Sequence, residues 1–142
     1  MKTLKAMMVG MALLLVCGIS QAAPTTSYDN STKDEVMNTY LNAVVHGKLS
    51  GIDDAIDDDA QFDMKRGDNI NTLTKSQILD ALKTNANVEQ DCQCTKTVVR
   101  DEDDIHVIKV DMKYTDFTRT DVITAQHEGN KWKITKVETS FK

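Results

Sequence analysis

The chain has 142 residues, and its 22 acidic against 17 basic side chains give a net charge of −5. This acidic balance excludes the broad basic surface that binding to nucleic acid or to anionic lipid requires, so neither partner is expected. The length allows one ordinary domain with a single hydrophobic core.

The N-terminus has the organisation of an export signal. Lys2 and Lys5 form a basic region, residues 6–19 form an apolar core, and Ser20-Gln21-Ala22 places small residues at the positions a signal peptidase reads. The apolar run is shorter than the ~20 residues that a membrane span needs, which leaves a retained anchor as the less favoured alternative. We therefore predict a signal peptide over 1–22, cleaved after Ala22, and a periplasmic or secreted protein without a membrane anchor.

The next segment predicts a flexible leader and then the start of the folded domain. Residues 23–29 are polar and contain a proline, so the domain is expected over 30–142. Thr32-Lys33-Asp34-Glu35 matches a capping box, and the apolar residues over 36–45 recur at helical spacing up to the stop at Gly47. A short second helix is expected over 49–56. Another capping box, at Thr74 to Gln77, predicts a third helix.

The remaining pattern predicts strands. Residues 60–66 alternate and are followed by a turn and a short partner over 70–73, and four longer strands are expected over 92–100, 105–116, 118–127 and 132–141. Helices followed by an antiparallel meander predict an α+β domain. In the last strand, Trp132 and Ile134 share one face by alternation, but Val137 and Phe141 fall on the other. A β-bulge near 135–136 would restore one common face and curve the sheet.

Two segments carry a resemblance to a known superfamily. The first is YLNAVVHGKLSGIDDAIDDDAQFDM, from Tyr40 to Met64, and the second is the closing hairpin DVITAQHEGNKWKITKVETSF with Gly129, Trp132 and Ile134. Their order and spacing resemble the NTF2-like (SnoaL, ketosteroid-isomerase-like) superfamily over about residues 33–142, in particular its small exported members described as "putative lumazine-binding". The resemblance implies an α+β cone, with N-terminal helices packed on a curved, mainly antiparallel sheet around a pocket.

The same resemblance implies a catalytic site, but one of its two catalytic residues is replaced in this chain. Isomerases of the superfamily carry a catalytic Tyr where this chain has Tyr40 and a catalytic Asp where it has Met64. The neighbouring Asp63 points to the opposite side of its strand. We therefore expect a non-catalytic protein that binds a small, largely apolar molecule, with Tyr40 as polar anchor and no cofactor. The expected pocket walls are Met37, Tyr40, Phe62, Met64, Leu82, Val110, Met112, Ile123 and Trp132.

Two alternatives stay open. One is an isomerase- or cyclase-type enzyme in which Tyr40 works with a sheet carboxylate, either Asp111 or Asp121. The other is a protein-interaction module, because the open sheet face of this fold commonly dimerises. That homodimer would use apolar residues of the sheet, namely Ile105, Val107 and Ile123.

The acidic residues, histidines and cysteines are candidates for metal or thiol chemistry. The acidic run over 53–59 lacks the alternating oxygen ligands and the glycine of a calcium loop, and the three histidines lack zinc-site spacing, so no metal is expected. Cys92 and Cys94 would lie ~6.6 Å apart on a strand, at the far edge of disulfide geometry. The outcomes are a strained local disulfide, a bond between protomers or two free thiols, and a disulfide is favoured in an exported protein.

Overall fold

The structure is a computed structural model that describes residues 30–142. The predicted signal peptide over 1–22 and leader over 23–29 therefore lie outside the described residues. The elements in chain order are α1 (Lys33–His46), α2 (Ile52–Ala55), β1 (Ile56–Arg66), β2 (Asn69–Leu73), α3 (Lys75–Thr84), β3 (Gln93–Asp101), β4 (Ile105–Lys113), β5 (Thr118–Glu128) and β6 (Lys131–Phe141). Within this range, no helix has the length and apolarity needed to cross a membrane.

The six strands form one curved sheet in the order β2-β1-β6-β5-β4-β3. Strands β3 to β6 make the predicted antiparallel meander, while β1 runs parallel to β6. Strand β1 begins at Ile56, four residues before the predicted start, because Ile56 already pairs with Ile134 before an irregularity interrupts the ladder. Part of the acidic run therefore belongs to a strand. The α+β architecture predicted from the sequence is confirmed.

The bulge predicted in the last strand is present. Ala125 of β5 pairs with Ile134, whereas Thr124 pairs with Lys136, so Thr135 is the extra residue. Beyond it the alternation is reset, and Trp132, Ile134 and Val137 are all buried on the same face. The bulge thus gives β6 one continuous apolar face and adds curvature to the sheet.

Helix α1 packs on one face of the sheet, which we call the inner face. Thr32 and Glu35 make the predicted capping box, and the helix ends at Gly47 with a left-handed φ of 65°. A Cβ at Gly47 would lie 2.6 Å from the backbone nitrogen of Val88, so both the conformation and the close approach require glycine. The core between α1 and the inner face contains Val36 and Met37, both fully buried.

Helix α3 and strand β3 form the exposed margins of the domain. No residue of α3 is fully buried, and Ile78, Leu79 and Leu82 are half-buried where the helix packs against the core. Strand β3 ends the sheet and is exposed along its whole length. The buried residues therefore come mainly from α1, β1, β4, β5 and β6.

Candidate functional site

A charged side chain lies in the middle of the apolar inner face. Asp121 of β5 is 0% exposed and lies on the same face of its strand as the buried Ile123, two residues later. The register places Thr139 of β6 directly opposite Asp121, and Arg119 lies two residues earlier on the same face. Tyr40 reaches the carboxylate from α1. We call these four residues the Asp121 cluster.

Every acceptor position of the Asp121 carboxylate is used. Arg119 donates from Nε to Oδ1 and from Nη2 to Oδ2, both at 2.9 Å. The Thr139 hydroxyl donates to Oδ1 at 2.8 Å, and the Tyr40 hydroxyl donates to Oδ2 at 3.2 Å. A carboxylate offers about four lone-pair sites. The four donors therefore satisfy it completely, as a buried charge requires.

The cluster also fixes the proton on Tyr40. Burial, and then the negative charge of Asp121, raise the pKa of Tyr40 well above its usual value. Burial alone lowers the pKa of Arg119, but the attraction of Asp121 and Tyr40 outweighs it, and the net pKa is raised. Arg119 is therefore a permanent cation and Tyr40 a permanent hydrogen-bond donor.

An open cleft lies at one end of the inner face, where β1 and β6 finish and β5 begins. Its volume is about 380 Å³, and its lining is Arg66, Gly67, Phe117 and Phe141. We call it the rim cleft. The Arg66 guanidinium lies over the Phe141 ring, 4.9 Å from its centroid. In the register, Phe141 is the cross-strand neighbour of Arg119. The rim cleft therefore lies next to the Asp121 cluster.

A row of aromatic rings forms one wall of this end of the domain. Phe117 stacks on Tyr114 with centroids 4.5 Å apart and planes 13° apart. Phe117 also lies 6.2 Å from Phe141 in a tilted arrangement. Phe117 is 43% exposed, so its ring is accessible from the rim cleft that it lines.

The predicted pocket walls divide into two groups. Most of them are buried within the packed core: Met37, Tyr40, Phe62, Val110, Met112, Ile123 and Trp132. Met64 and Leu82 are only half-buried. Met64 pairs with Thr139 across β1 and β6, so it lies beside the Asp121 cluster. Trp132 stands at the other end of β6, next to His127, and the structure does not bring it to the rim cleft.

The three weaker carboxylate candidates have different surroundings. Asp121 contacts Tyr40, which is one of the two Tyr40–carboxylate pairs that the enzyme alternative offered. Asp111 lies on the outer face, where it accepts from the Thr120 hydroxyl at 2.6 Å, and so cannot reach Tyr40. Asp63 also points outward, as predicted, and hydrogen bonds from Gln61 and Thr72 lower its pKa.

The proposed dimer residues do not share one surface. Ile105 and Val107 are half-buried on the outer face of β4. Ile123 is fully buried and points to the inner face, because it lies two residues after Asp121 on the same side of β5. Ile123 was therefore wrongly grouped with the other two. A homodimer through the outer face stays a prediction that rests on Ile105 and Val107.

Cys92 and Cys94 converge without a covalent bond. Their Sγ atoms are 3.8 Å apart, against about 2.05 Å in a disulfide. The chain bends just before them, where the Cys92 amide donates to the Gln90 carbonyl. Burial and the neighbouring Cys92 raise the pKa of the Cys94 thiol to about 11. The disulfide stays a prediction, with both sulfurs already near one another.

Sequence reasoning missed Arg119, Thr139 and the residues of the rim cleft. A signal for the first was present, since Arg119 and Asp121 are opposite charges at i and i+2 on a strand that continues with Ile123 and Ala125. Two adjacent charges on an otherwise apolar strand face indicate a buried ion pair. Nothing local in the sequence joins Arg66, Phe117 and Phe141, which come from three separate parts of the chain.

The architecture defines an NTF2-like α+β fold, and solved structures of that class are similar to this chain. An NTF2-like protein of unknown function from Silicibacter pomeroyi superposes with a TM-score of 0.63 at 17% identity, over 77% of this chain and 92% of that one. One from Shewanella baltica gives 0.60 at 15%, over 81% and 93%. A protein described as a putative ketosteroid isomerase, from Parabacteroides distasonis, gives 0.55 at 12%, over 77% and 86%.

A family model places the chain more closely. The chain belongs to the family described as "putative lumazine-binding", whose model matches residues 29–139. No curated protein sequence matches it. These three solved structures are each under 25% identical to this chain, so their similarity shows the fold alone.

Proposed function

We propose that this protein is an exported, non-catalytic binding protein that takes a small, largely apolar molecule into the rim cleft. The observation that carries the proposal is the cleft itself, about 380 Å³ between two phenylalanine rings and an arginine. Small-molecule sites occupy ~300–1,000 Å³ and combine apolar walls with few polar groups. The rim cleft fits the lower end of that range.

In this position the ligand lies nearer to the protein surface than the pocket walls expected from the sequence. Met37, Val110, Met112 and Ile123 are fully buried and pack with one another and with α1. Such side chains support a site from below and do not line it. Met64 is half-buried and lies two residues before Arg66 on β1, so in this proposal it is nearer to the ligand than the fully buried residues are. The family description, which refers to lumazine, is compatible with a ligand of this size.

The polar anchor in this proposal is Arg119, where the sequence had indicated Tyr40. The Tyr40 hydroxyl donates its proton to Asp121 and is buried. A guanidinium carries five N–H donors, and the pair with Asp121 uses two of them. The Arg119 side chain is 22% exposed. It can therefore offer a hydrogen bond to a ligand that lies against Phe141.

The test uses the neutral fluorescent probe N-phenyl-naphthylamine. We expect saturable binding to the purified protein, and about tenfold weaker binding to Phe117→Ala, since a stacked aromatic contact is worth ~1–3 kcal/mol. Val99→Ala is the matched control, because Val99 is a comparably exposed apolar residue on β3. Absence of saturable binding, or equal losses in both variants, would contradict the proposal.

Catalysis is the second candidate, because Tyr40 and Asp121 do meet at 3.2 Å. The saturated carboxylate argues against a general base, since no lone pair remains for a substrate proton. Tyr40, with its raised pKa, is also a weak proton donor. An activity on a candidate substrate that disappears in Tyr40→Phe would favour the enzyme over the binding protein.

A further inference from the structure

We infer that the rim cleft selects planar aromatic molecules that carry a negatively charged group. This inference rests on the proposed function and names the chemical class of its ligand. It comes from the unpaired positive charge and the ring geometry of the cleft.

One arginine of the described chain is not paired with a carboxylate. Residues 30–142 contain three arginines, and two are paired with carboxylates: Arg100 with Glu102 and Arg119 with Asp121. Arg66 has no carboxylate partner among these residues and lies over the Phe141 ring instead. In a chain with a net charge of −5, the cleft thus holds an unneutralised guanidinium. A planar guanidinium matches a carboxylate or phosphate through two parallel hydrogen bonds.

A second arginine lies beside the same phenylalanine in the sheet. Arg119 is the cross-strand neighbour of Phe141, and three of its N–H groups lie outside its pair with Asp121. An anion in the rim cleft would contact Arg66, which lines the cleft, and Arg119 lies one cross-strand position away from the lining residue Phe141. A cationic ligand would be repelled by Arg66, whose charge no carboxylate among the described residues neutralises.

The aromatic rings of the cleft present a flat stacking surface. Phe117 and Tyr114 are stacked almost parallel, and Phe117 is half-exposed where it lines the cleft. A flat ligand would extend this stack, with dispersion contact over a whole ring face. Ring faces are electronegative, so a negative group on that ligand must project away from Phe117. Arg66 lies where such a group would emerge, beside Phe141.

The experiment compares two ligands of the same shape, naphthoate and naphthamide, on the complete purified protein. A hydrogen bond to a charged group contributes ~1.5–3 kcal/mol, so we expect naphthoate to bind at least about tenfold more tightly by calorimetry. The preference should shrink as salt is raised, because the site is partly exposed.

Variants then assign the preference to the cleft. Arg66→Gln is expected to bring the two affinities within about twofold of each other, and Arg66→Lys to give an intermediate preference, because a lysine keeps the charge and loses the planar fork. Arg100→Gln is the control, since Arg100 is an exposed arginine on β3, and it should keep the full preference.

The outcomes separate this inference from the proposal beneath it. Equal or tighter binding of naphthamide to the unmodified protein would overturn the inference, as would a preference that survives in Arg66→Gln. If N-phenyl-naphthylamine binds and neither naphthyl compound does, the inference fails and the binding function stands. If none of the three binds, both fail.

Discussion

The Asp121 cluster makes a quantitative prediction for stability. Asp121→Asn keeps the size of the side chain but replaces one accepting oxygen with an N–H donor. The four groups around it all donate: Arg119 through two atoms, Thr139 and Tyr40. At least one hydrogen bond from Arg119 therefore becomes a contact between two donors, because a guanidinium cannot accept, and the charge of Arg119 loses its partner.

The magnitude follows from burial. Breaking a buried ion pair by removing one partner costs ~3–5 kcal/mol. Arg119 keeps 22% of its side chain exposed, so water screens part of its charge and the lower end of that range applies. We expect Asp121→Asn to reduce the free energy of unfolding by about 3 kcal/mol. For a domain of this size, that corresponds to a melting temperature lower by roughly 10 °C.

Urea unfolding followed by circular dichroism measures the difference, with Asp111→Asn as the matched control. Asp111 is a half-buried carboxylate on the outer face, and its loss should cost at most about 1 kcal/mol. Replacing the pair together, as Arg119→Met with Asp121→Leu, should cost less than Asp121→Asn alone, because no buried charge remains. A loss below 1 kcal/mol in Asp121→Asn would refute the role given to the cluster.

Two further predictions concern titration and thiol chemistry. Tyr40 keeps its proton in the folded state above pH 10, where unfolded tyrosine loses it, so unfolding releases a proton and stability falls as pH rises past 10. In urea unfolding, Tyr40→Phe should flatten the decline in stability between pH 9 and 11. An unchanged slope would contradict this. Intact mass with and without reductant should show that Cys92 and Cys94 form a disulfide in freshly isolated protein, because their sulfurs are 3.8 Å apart; two reduced thiols would defeat that expectation. After reduction, alkylation of Cys94 should accelerate up to about pH 11, the raised pKa of that thiol, and a rate that levels off near pH 9 would contradict it.

Much of the fold was predictable because its signals are local. The capping boxes at Thr32 and Thr74 mark the starts of α1 and α3 in both the sequence and the structure. The misplaced apolar residues of β6 even predicted the bulge now found at Thr135. The early start of β1 was not predictable from alternation, since its first residues are acidic and pair in parallel with a strand near the C-terminus.

The site was less accessible to sequence reasoning. Tyr40 and Asp121 were each identified, but their contact depends on how α1 lies across β5. Thr139 faces Asp121 only because the turn before β6 and the bulge together set the register. The rim cleft joins the end of β1, the turn before β5 and the end of β6. Long-range register of this kind is a property of the whole sheet, and no single segment encodes it.

The central claim is that the rim cleft binds small molecules, and titration with N-phenyl-naphthylamine tests it most directly. The structure predicts saturable binding that weakens about tenfold in Phe117→Ala and stays unchanged in Val99→Ala. Phe117 lines the cleft, and Val99 is exposed on the distant edge strand β3. A titration without saturation, or one that Phe117→Ala leaves unchanged, would contradict the claim.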